Sequence, residues 1–448
     1  MHIALINALL PPELLGEIFK LYMHMCTEYF RFEVYSISSQ ESPYRWYRVA
    51  SVCRYWHSVA LSMTELFTYV DLTRPKSHLT SKWLARSRQA PLRIVGRLTC
   101  TNNRWKAALP HLQRVVSLRV YTQLYSRFPL GPTLPNLKSL SYTYMEPHNP
   151  QPSDEALKGL LDRSPNLESL AIHLRKGGGS AWMSHISHRF LTRLRIYGWQ
   201  GRSVPWQSNE EENREGGLSF LVPLIRRLPQ LDVLELDASK FISNPSLNDL
   251  YRSHLSPQVK PLTYFKATGD LTSIVSVLTS GAIAPRKLDI SVFQSMPPLH
   301  DEDIELISSA IITTPSIPWH VITSASIGID TDTHKSIYEF SLKGWSQSIP
   351  SIMHESTDSS PVLNITIRTW YNEGHDVGFK LLLALTSAFS AVRSVSIYLP
   401  AEESTSDITL LGSHFYDKFK HLRDLDMPEF VGPLENSTTR RIWLSRPV

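Results

Sequence analysis

Three places in this 448-residue chain hold residue types that chemistry uses. The run "KGGGS", starting at Lys176, has the composition of a phosphate cradle. It lacks the Gly-x-x-x-x-Gly-Lys-Ser/Thr spacing that aims successive backbone N–H groups at phosphate oxygens, so it reads as a turn. His185 and His188 have a spacing that puts two imidazoles on one helical face, but no third ligand stands close to them in sequence, and a zinc site needs three or four. Cys53 lies among apolar residues, where a thiol keeps its proton and is a poor nucleophile. No catalytic constellation emerges from these residues. The sequence therefore predicts a non-catalytic protein, with no cofactor and no metal.

Composition narrows the alternatives. Lys and Arg number 46 against 41 Asp and Glu, a formal charge of +5, too mild over this length to argue for nucleic-acid binding from bulk charge. The charge is unevenly placed: no acidic residue falls between Asp71 and Glu146, while thirteen Lys and Arg do, from Arg74 to Lys138. The three cysteines, Cys26, Cys53 and Cys100, are too few and too scattered for a disulfide framework, so a reducing compartment is expected, cytoplasmic or nuclear. The opening "MHIALINALL" has no basic n-region and is not read as a secretory signal. No apolar run is long enough to span a membrane, and the sequons at Asn364 and Asn436 are then chance matches.

The elements that position these residues begin with "LLPPELLGEIFKLYM". Proline suits the first turn of a helix because its fixed backbone angle is already helical and its missing N–H would be unpaired there. Leu14, Leu15, Ile18, Phe19 and Tyr22 follow at three- and four-residue spacing, predicting one apolar stripe that needs a partner surface. A second helix is predicted in "YRWYRVASVCRYWHSVALSM", with Val49, Val52, Cys53, Trp56 and Ala60 on one face. A third is predicted in "SMTELFTYV", where Ser62 and Glu65 have capping-box spacing. Together these predict a three-helix bundle, with a long loop across "CTEYFRFEVYSISSQESPYR" connecting the first two helices.

The phrases "LPPELLGEIF", "RVASVCRYWHSVAL" and "ELFTYVDL" resemble an F-box domain, in the F-box-like form abundant in mushroom-forming fungi. The resemblance covers about the first seventy residues. It implies an N-terminal module, residues 1–71, that binds a Skp-family adaptor and through it a cullin. Matched residue by residue, it implies adaptor contacts at Leu10, Pro11, Leu14, Leu15, Ile18 and Phe19 of the first helix and at Val49, Val52, Cys53 and Trp56 of the second. Val52, Cys53 and Trp56 keep two readings, interface or core of the bundle. The loop over residues 24–43 is longer than the compact F-box pattern and would matter if it covered the adaptor face.

Beyond residue 71 a phrase recurs, L-x-x-L-x-L after a helical segment. Its copies are Leu137, Leu140 and Tyr142; Leu167, Leu170 and Ile172; Leu191, Leu194 and Ile196; Leu231, Leu234 and Leu236; and Leu422, Leu425 and Met427. Weaker copies stand at Val115, Leu118 and Val120, at Val362, Ile365 and Ile367, and at Val392, Val395 and Ile397. Helical patterns include "SDEALKGLLDRS", "FLVPLIRRLP" and "VGFKLLLALTSAFS". Strand and helix in alternation are the sequence form of a leucine-rich-repeat solenoid, here irregular because the spacing wanders and the usual Asn or Cys after the strand is mostly absent. An ordinary α/β domain with leucine-rich strands is the plainer alternative. The segment near 323–361 dilutes the pattern and reads as a possible insertion, and residues 199–217 read as a surface loop.

The fold expected is thus α+β or α/β: a small three-helix F-box-like bundle, then a curved strand-helix array over residues 72–448. Such a chain would be the substrate-recognition subunit of an SCF-type cullin-RING ubiquitin ligase, with the repeats holding a target protein. The rival reading is a repeat scaffold whose N-terminal bundle only caps the array. On the target side the leading candidates are Arg86, Arg88, Arg93 and Arg97, whose guanidinium forks suit an acidic or phosphorylated segment. The same charges would also serve solubility or steering alone. Nucleic acid is disfavoured, because no recognised binding motif accompanies the charges.

Overall fold

A computed structural model describes residues 10–32, 43–73, 77–98, 103–122, 133–144, 154–174, 186–198, 217–237, 260–269, 283–293, 324–332, 337–345, 363–370, 394–400 and 439–445, with a few single positions between them. The chain divides into two compact units, Met1–Phe190 and Leu191–Val448.

In the first unit the double proline opens helix α1, Pro12–Phe32, with Glu13 in its first turn beside the positive end of the helix dipole. The Leu15 N–H donates to the Pro11 carbonyl at 3.1 Å, so the second proline costs the helix no hydrogen bond. The helix continues through Cys26 to Phe32, where the sequence pattern suggested a loop. Residues 33–42 lie outside the described residues.

The expected second helix forms as two pieces. A 3-10 helix, Pro43–Ser51, buries Trp46 and Ala50, and helix α2, Arg54–Ser62, buries Val59 and Ala60. They part at Cys53, which is extended (φ −159°, ψ 171°) and caps α2, its Sγ accepting from the Trp56 N–H at 3.5 Å. The regular spacing from Val49 to Ala60 therefore crosses a break. The predicted capping box does not form: Ser62 Oγ donates back to the Val59 carbonyl at 2.8 Å, and a short 3-10 helix, Thr64–Phe67, follows with no side-chain cap. Two α-helices and two 3-10 helices stand where three helices were expected. One core joins them, made of Leu15, Phe19, Trp46, Ala50, Val59, Ala60, Leu66, Phe67 and Trp83.

Trp83 belongs to helix α3, Ser77–Arg86, which introduces a parallel sheet. Strands β1 (Tyr69–Asp71), β2 (Leu92–Leu98), β3 (Val115–Thr122), β4 (Ser139–Tyr144) and β5 (Ser169–Leu174) lie side by side in chain order. Helix α4 (Asn103–Ala108), continued by a 3-10 helix to Arg114, connects β2 to β3, and α5 (Asp154–Asp162) stands between β4 and β5. The recurring phrase explains the register. Leu118, Leu140 and Leu170 are direct neighbours, as are Val120, Tyr142 and Ile172, and all six are buried. Because side chains alternate across a strand, the final L-x-L of each phrase builds one apolar face from rungs about 4.8 Å apart.

The second unit repeats this logic and then changes it. Strands β6 (Arg193–Gly198), β7 (Val233–Asp237), β8 (Lys260–Gly269) and β9 (Ile283–Phe293) are parallel neighbours, with α6 (Gly217–Arg227) between β6 and β7. Leu194, Leu234 and Phe265 share one buried rung, and Leu288 extends it. The next neighbour is β12 (Leu363–Trp370), again parallel to β9. It pairs antiparallel with β11 (Ile337–Trp345), which pairs antiparallel with β10 (Ser324–Asp332). β13 (Ser394–Pro400) then runs parallel to β10, and β14 (Thr439–Ser445) antiparallel to β13. The region read as an insertion thus supplies two strands to the sheet. The helix expected in "VGFKLLLALTSAFS" and the copy at Leu422, Leu425 and Met427 fall outside the described residues, as do residues 199–216. The fold is mixed helix and strand, loosely α/β. Among the described residues no helix is long and apolar enough to cross a membrane.

Candidate partner-binding surface

Helix α1 has two apolar faces rather than one. Leu15 and Phe19 are 0% exposed and belong to the core, with Tyr22, Met23 and Cys26 packed partly against it. Gly16 completes the inner face: a Cβ there would stand 3.1 Å from the Met63 side chain. On the outside, Leu14, Ile18, Leu21 and Met25 are 55%, 45%, 65% and 71% exposed. Their spacing of four, three and four residues aligns them as one stripe about three turns long. The sequence stripe that joined Leu14, Leu15, Ile18 and Phe19 is therefore split between core and surface. Leu21 and Met25 escaped the sequence reading, although they continue the spacing begun by Leu14 and Ile18.

The remaining candidates divide in the same way. Pro11 is exposed and Leu10 half-buried; the Leu10 carbonyl accepts from the Tyr55 hydroxyl at 3.0 Å, tying the entry of α1 to α2. Val52, at the break before Cys53, is 52% exposed. Val49 and Trp56 are half-buried and packed on the core, with the Trp56 ring edge-on to Phe19 at 5.5 Å. Cys53 serves as a helix cap. Charge flanks the stripe lightly: Lys20 Nζ lies 2.9 Å from Glu17 Oε1, and that hydrogen bond raises the Lys20 pKa.

The basic candidates are not one patch. Arg86, at the end of α3, lies over the Phe67 ring at 5.4 Å, and Arg88, with a φ of 48°, turns the chain out of that helix. Arg93 and Arg97 are on β2, alternating with Leu92, Ile94 and Gly96. Those three face the helix layer, where Trp105 of α4 packs against Gly96. Arg93 and Arg97 consequently occupy the opposite face of the sheet, away from Arg86 and Arg88. Arg114 has a separate task. Its Nη2 donates to the Leu84 carbonyl at 2.9 Å and to Ser87 Oγ at 2.8 Å, and its Nη1 to the Ser87 and Ala90 carbonyls, both at 3.2 Å, and to that of Arg88. It adds charged donors to the carbonyls at and just beyond the end of α3, some of which also accept from Ser87 Oγ and the Ala90 N–H. Burial lowers the pKa of Arg114, and burial together with the Arg114 charge lowers that of His111.

The second unit carries a row of alternating charge. Arg195, Glu235, Lys266, Asp289 and Asn364 are successive neighbours across five strands. Arg195 Nε is 2.7 Å from Glu235 Oε1, Lys266 Nζ 3.5 Å from Asp289 Oδ2, and Asn364 Nδ2 donates to Asp289 Oδ1 at 3.1 Å. The Tyr197 hydroxyl donates to Glu235, and the Tyr264 hydroxyl to Asp289 at 3.0 Å. Burial, then these carboxylates, push both phenols far above their ordinary pKa. This row is internally neutralised and offers little to a ligand.

Of the histidine pair, His188 Nε2 lies 3.0 Å from the Leu161 carbonyl, so that nitrogen carries its proton and donates it. Among the described residues no group of three His, Cys, Asp or Glu is placed to hold a metal. "KGGGS" lies outside the described residues. No family model matches the chain, and no curated protein matches it.

Proposed function

We propose that the chain is the substrate-recognition subunit of an SCF-type cullin-RING ubiquitin ligase, its N-terminal module binding a Skp-family adaptor and its irregular leucine-rich array holding a target protein. The observation that carries this reading is the outer stripe of α1. A helix already buried on one side presents four large apolar residues on the other, and Val52 adds a fifth at the break before α2. Contiguous exposed apolar surface of this kind is characteristic of an interaction site. The stripe includes Leu14 and Ile18, two of the positions that the F-box resemblance assigns to the adaptor. In this reading the chain does no chemistry itself; it holds a target near a catalytic partner, and proximity supplies the rate.

A second reading is favoured by one feature. Trp83 of α3 sits in the same core as Leu15 and Phe19, so the helical module also closes the end of the sheet, as the cap of a scaffold would.

Co-expression with a Skp-family adaptor and a cullin separates the two. The natural chain should co-purify with the adaptor. The Leu14→Asp, Ile18→Asp variant should lose it while keeping its helical content, because both side chains are exposed and charge there disturbs only a docked partner. If the natural chain retains no adaptor, the receptor reading fails and the capped scaffold replaces it.

A further inference from the structure

The break between the 3-10 helix Pro43–Ser51 and α2 holds a residue that adaptor binding leaves without a task. Ser51 closes the 3-10 helix, is exposed, and is followed directly by Val52 of the outer apolar surface. Three positions before it stands Arg48, also exposed. A 3-10 helix has about three residues per turn, so side chains at i and i+3 eclipse one another. Arg48 and Ser51 therefore share one side of it.

An arginine three residues ahead of a serine is a charge pattern that basophilic protein kinases read, because an acidic pocket beside their active site takes the guanidinium. Four such matches to serine or threonine have both ends among the described residues: Arg48 with Ser51, Arg114 with Ser117, Arg119 with Thr122, and Arg189 with Thr192. Accessibility separates them. Ser117 and Thr122 belong to β3, with a strand paired on either side; Thr122 is buried, and Arg114 is committed to the end of α3. Thr192 is half-buried, and its carbonyl accepts from the Asp232 and Val233 N–H groups. Ser51 is the one exposed member of the four. Presenting it to an enzyme asks little of the fold. Hydrogen bonds in a 3-10 helix have poor geometry, Cys53 is already extended, and of residues 48–53 only Ala50 is buried.

We propose that Ser51 is a phosphorylation site for a kinase that reads arginine three positions upstream, and that the phosphate closes the neighbouring apolar surface to its partner. In the transfer, Ser51 Oγ attacks the γ-phosphorus of ATP. The new O–P bond forms as the bond to ADP breaks, and the hydroxyl proton passes to the kinase's catalytic base. The product carries about two negative charges. Arg48, one turn back on the same side, is placed to pair with them, and the positive end of α2 begins two residues on. The dianion then stands beside Val52, where a docked apolar partner would have to strip its water. That costs more than the contact of one valine returns. The proposal deepens the receptor reading by naming how its docking surface is switched, and rests on that reading for the identity of the partner.

The test has two arms, both on the full chain. In the first, without adaptor, the chain is treated with ATP and a calcium/calmodulin-dependent protein kinase, and the products are mapped by mass spectrometry. Ser51 should be modified, Ser117, Thr122 and Thr192 should not, and Arg48→Gln should slow the Ser51 reaction about tenfold or more. If Arg48→Gln does not fold, Arg48→Lys, which keeps the charge but loses the fork, replaces it. No phosphate on Ser51, an unchanged rate in the Arg48 variant, or equal modification of Ser117 and Thr122, as an unfolded chain would give, overturns the site. In the second arm an immobilised Skp-family adaptor captures the chain. The phosphorylated chain should be captured about tenfold less than the unmodified one, and phosphatase should restore it. Ser51→Ala should be captured like the natural chain before and after kinase treatment. Equal capture of both phosphorylation states, or loss of capture by kinase-treated Ser51→Ala, overturns the switch. If the unmodified chain is not captured, the receptor reading fails and the switch fails with it, while the mass spectrum still decides the site.

Discussion

Arg114 and Leu84 are thirty positions apart in sequence, yet the Arg114 guanidinium donates to the Leu84 carbonyl at 2.9 Å. One side chain from the end of a later helix thereby finishes an earlier one, and its fork also reaches the Ser87 and Ala90 carbonyls.

Replacing it should be costly. Arg114→Met is expected to lower stability by about 2–3 kcal/mol in urea unfolding, since carbonyls in a partly buried site lose charged donors. Arg114→Lys should recover less than half of that, because a single ammonium cannot reproduce the fork. Equal stability of Arg114→Met and the natural chain would show that water replaces the fork without loss.

The two faces of α1 predict opposite responses to truncation. Leu15→Ala should cost about 2–5 kcal/mol, as a fully buried leucine does, whereas Leu14→Ala should stay within about 0.5 kcal/mol. Thermal unfolding of the two variants checks this without any partner. Similar losses would mean that Leu14 is buried in solution.

Gly96 is fixed by a close approach. A Cβ there would overlap Trp105 Cζ2, meet Trp105 Cε2 at 3.0 Å and stand 3.3 Å from Leu72 Cβ. Trp105 is held in place, its Nε1 donating to the Arg97 carbonyl at 3.1 Å. Gly96→Ala should therefore destabilise by about 1–3 kcal/mol through overpacking. In a double-mutant cycle, Trp105→Leu should absorb most of that cost; strict additivity would place the strain elsewhere.

Alkaline pH should act on the second unit through Tyr197 and Tyr264. Both phenols have folded pKa values raised above the ordinary 10.0, so the unfolded chain releases these protons first. Above about pH 10 the folded state binds more protons than the unfolded state, and stability falls as pH rises. The contribution is complete below pH 10 and disappears through the raised pKa. Tyr197→Phe with Tyr264→Phe should flatten this slope in denaturation measured across pH 9 to 12, and an unchanged slope would assign it to other groups.

Much of the sheet was legible because a leucine at every second position has one physical meaning, and Leu118, Leu140 and Leu170 mark three neighbouring strands. Strands without the phrase escaped: β2 is "LRIVGRL", with glycine where a neighbour has valine, and β10 and β11 lie in a stretch that spacing alone reads as an insertion. In the helical module, periodicity found the segments but not the break at Cys53, since a capping thiol and a core thiol look alike in sequence. Periodicity also merged the two faces of α1. Spacing identifies apolar residues, while the depth of each is set by Trp46, Phe67 and Trp83, which arrive from elsewhere in the chain. The arginine candidates lie on two layers for a related reason: Arg86 and Arg93 are close in sequence, but a helix-to-strand turn separates them.

Trp83 meets Trp46 at 5.7 Å and Phe67 at 5.9 Å between ring centroids, so no slack linker joins the helical module to the first strands. Rotating one against the other would open an aromatic cluster whose pairs are each worth about 0.5–1.5 kcal/mol beyond the area they bury. The outer stripe of α1 and the first strands of the sheet thus belong to one stiff piece. A partner docked on the stripe would be carried at a set reach from those strands, and only its own slack could make up a shortfall in that reach.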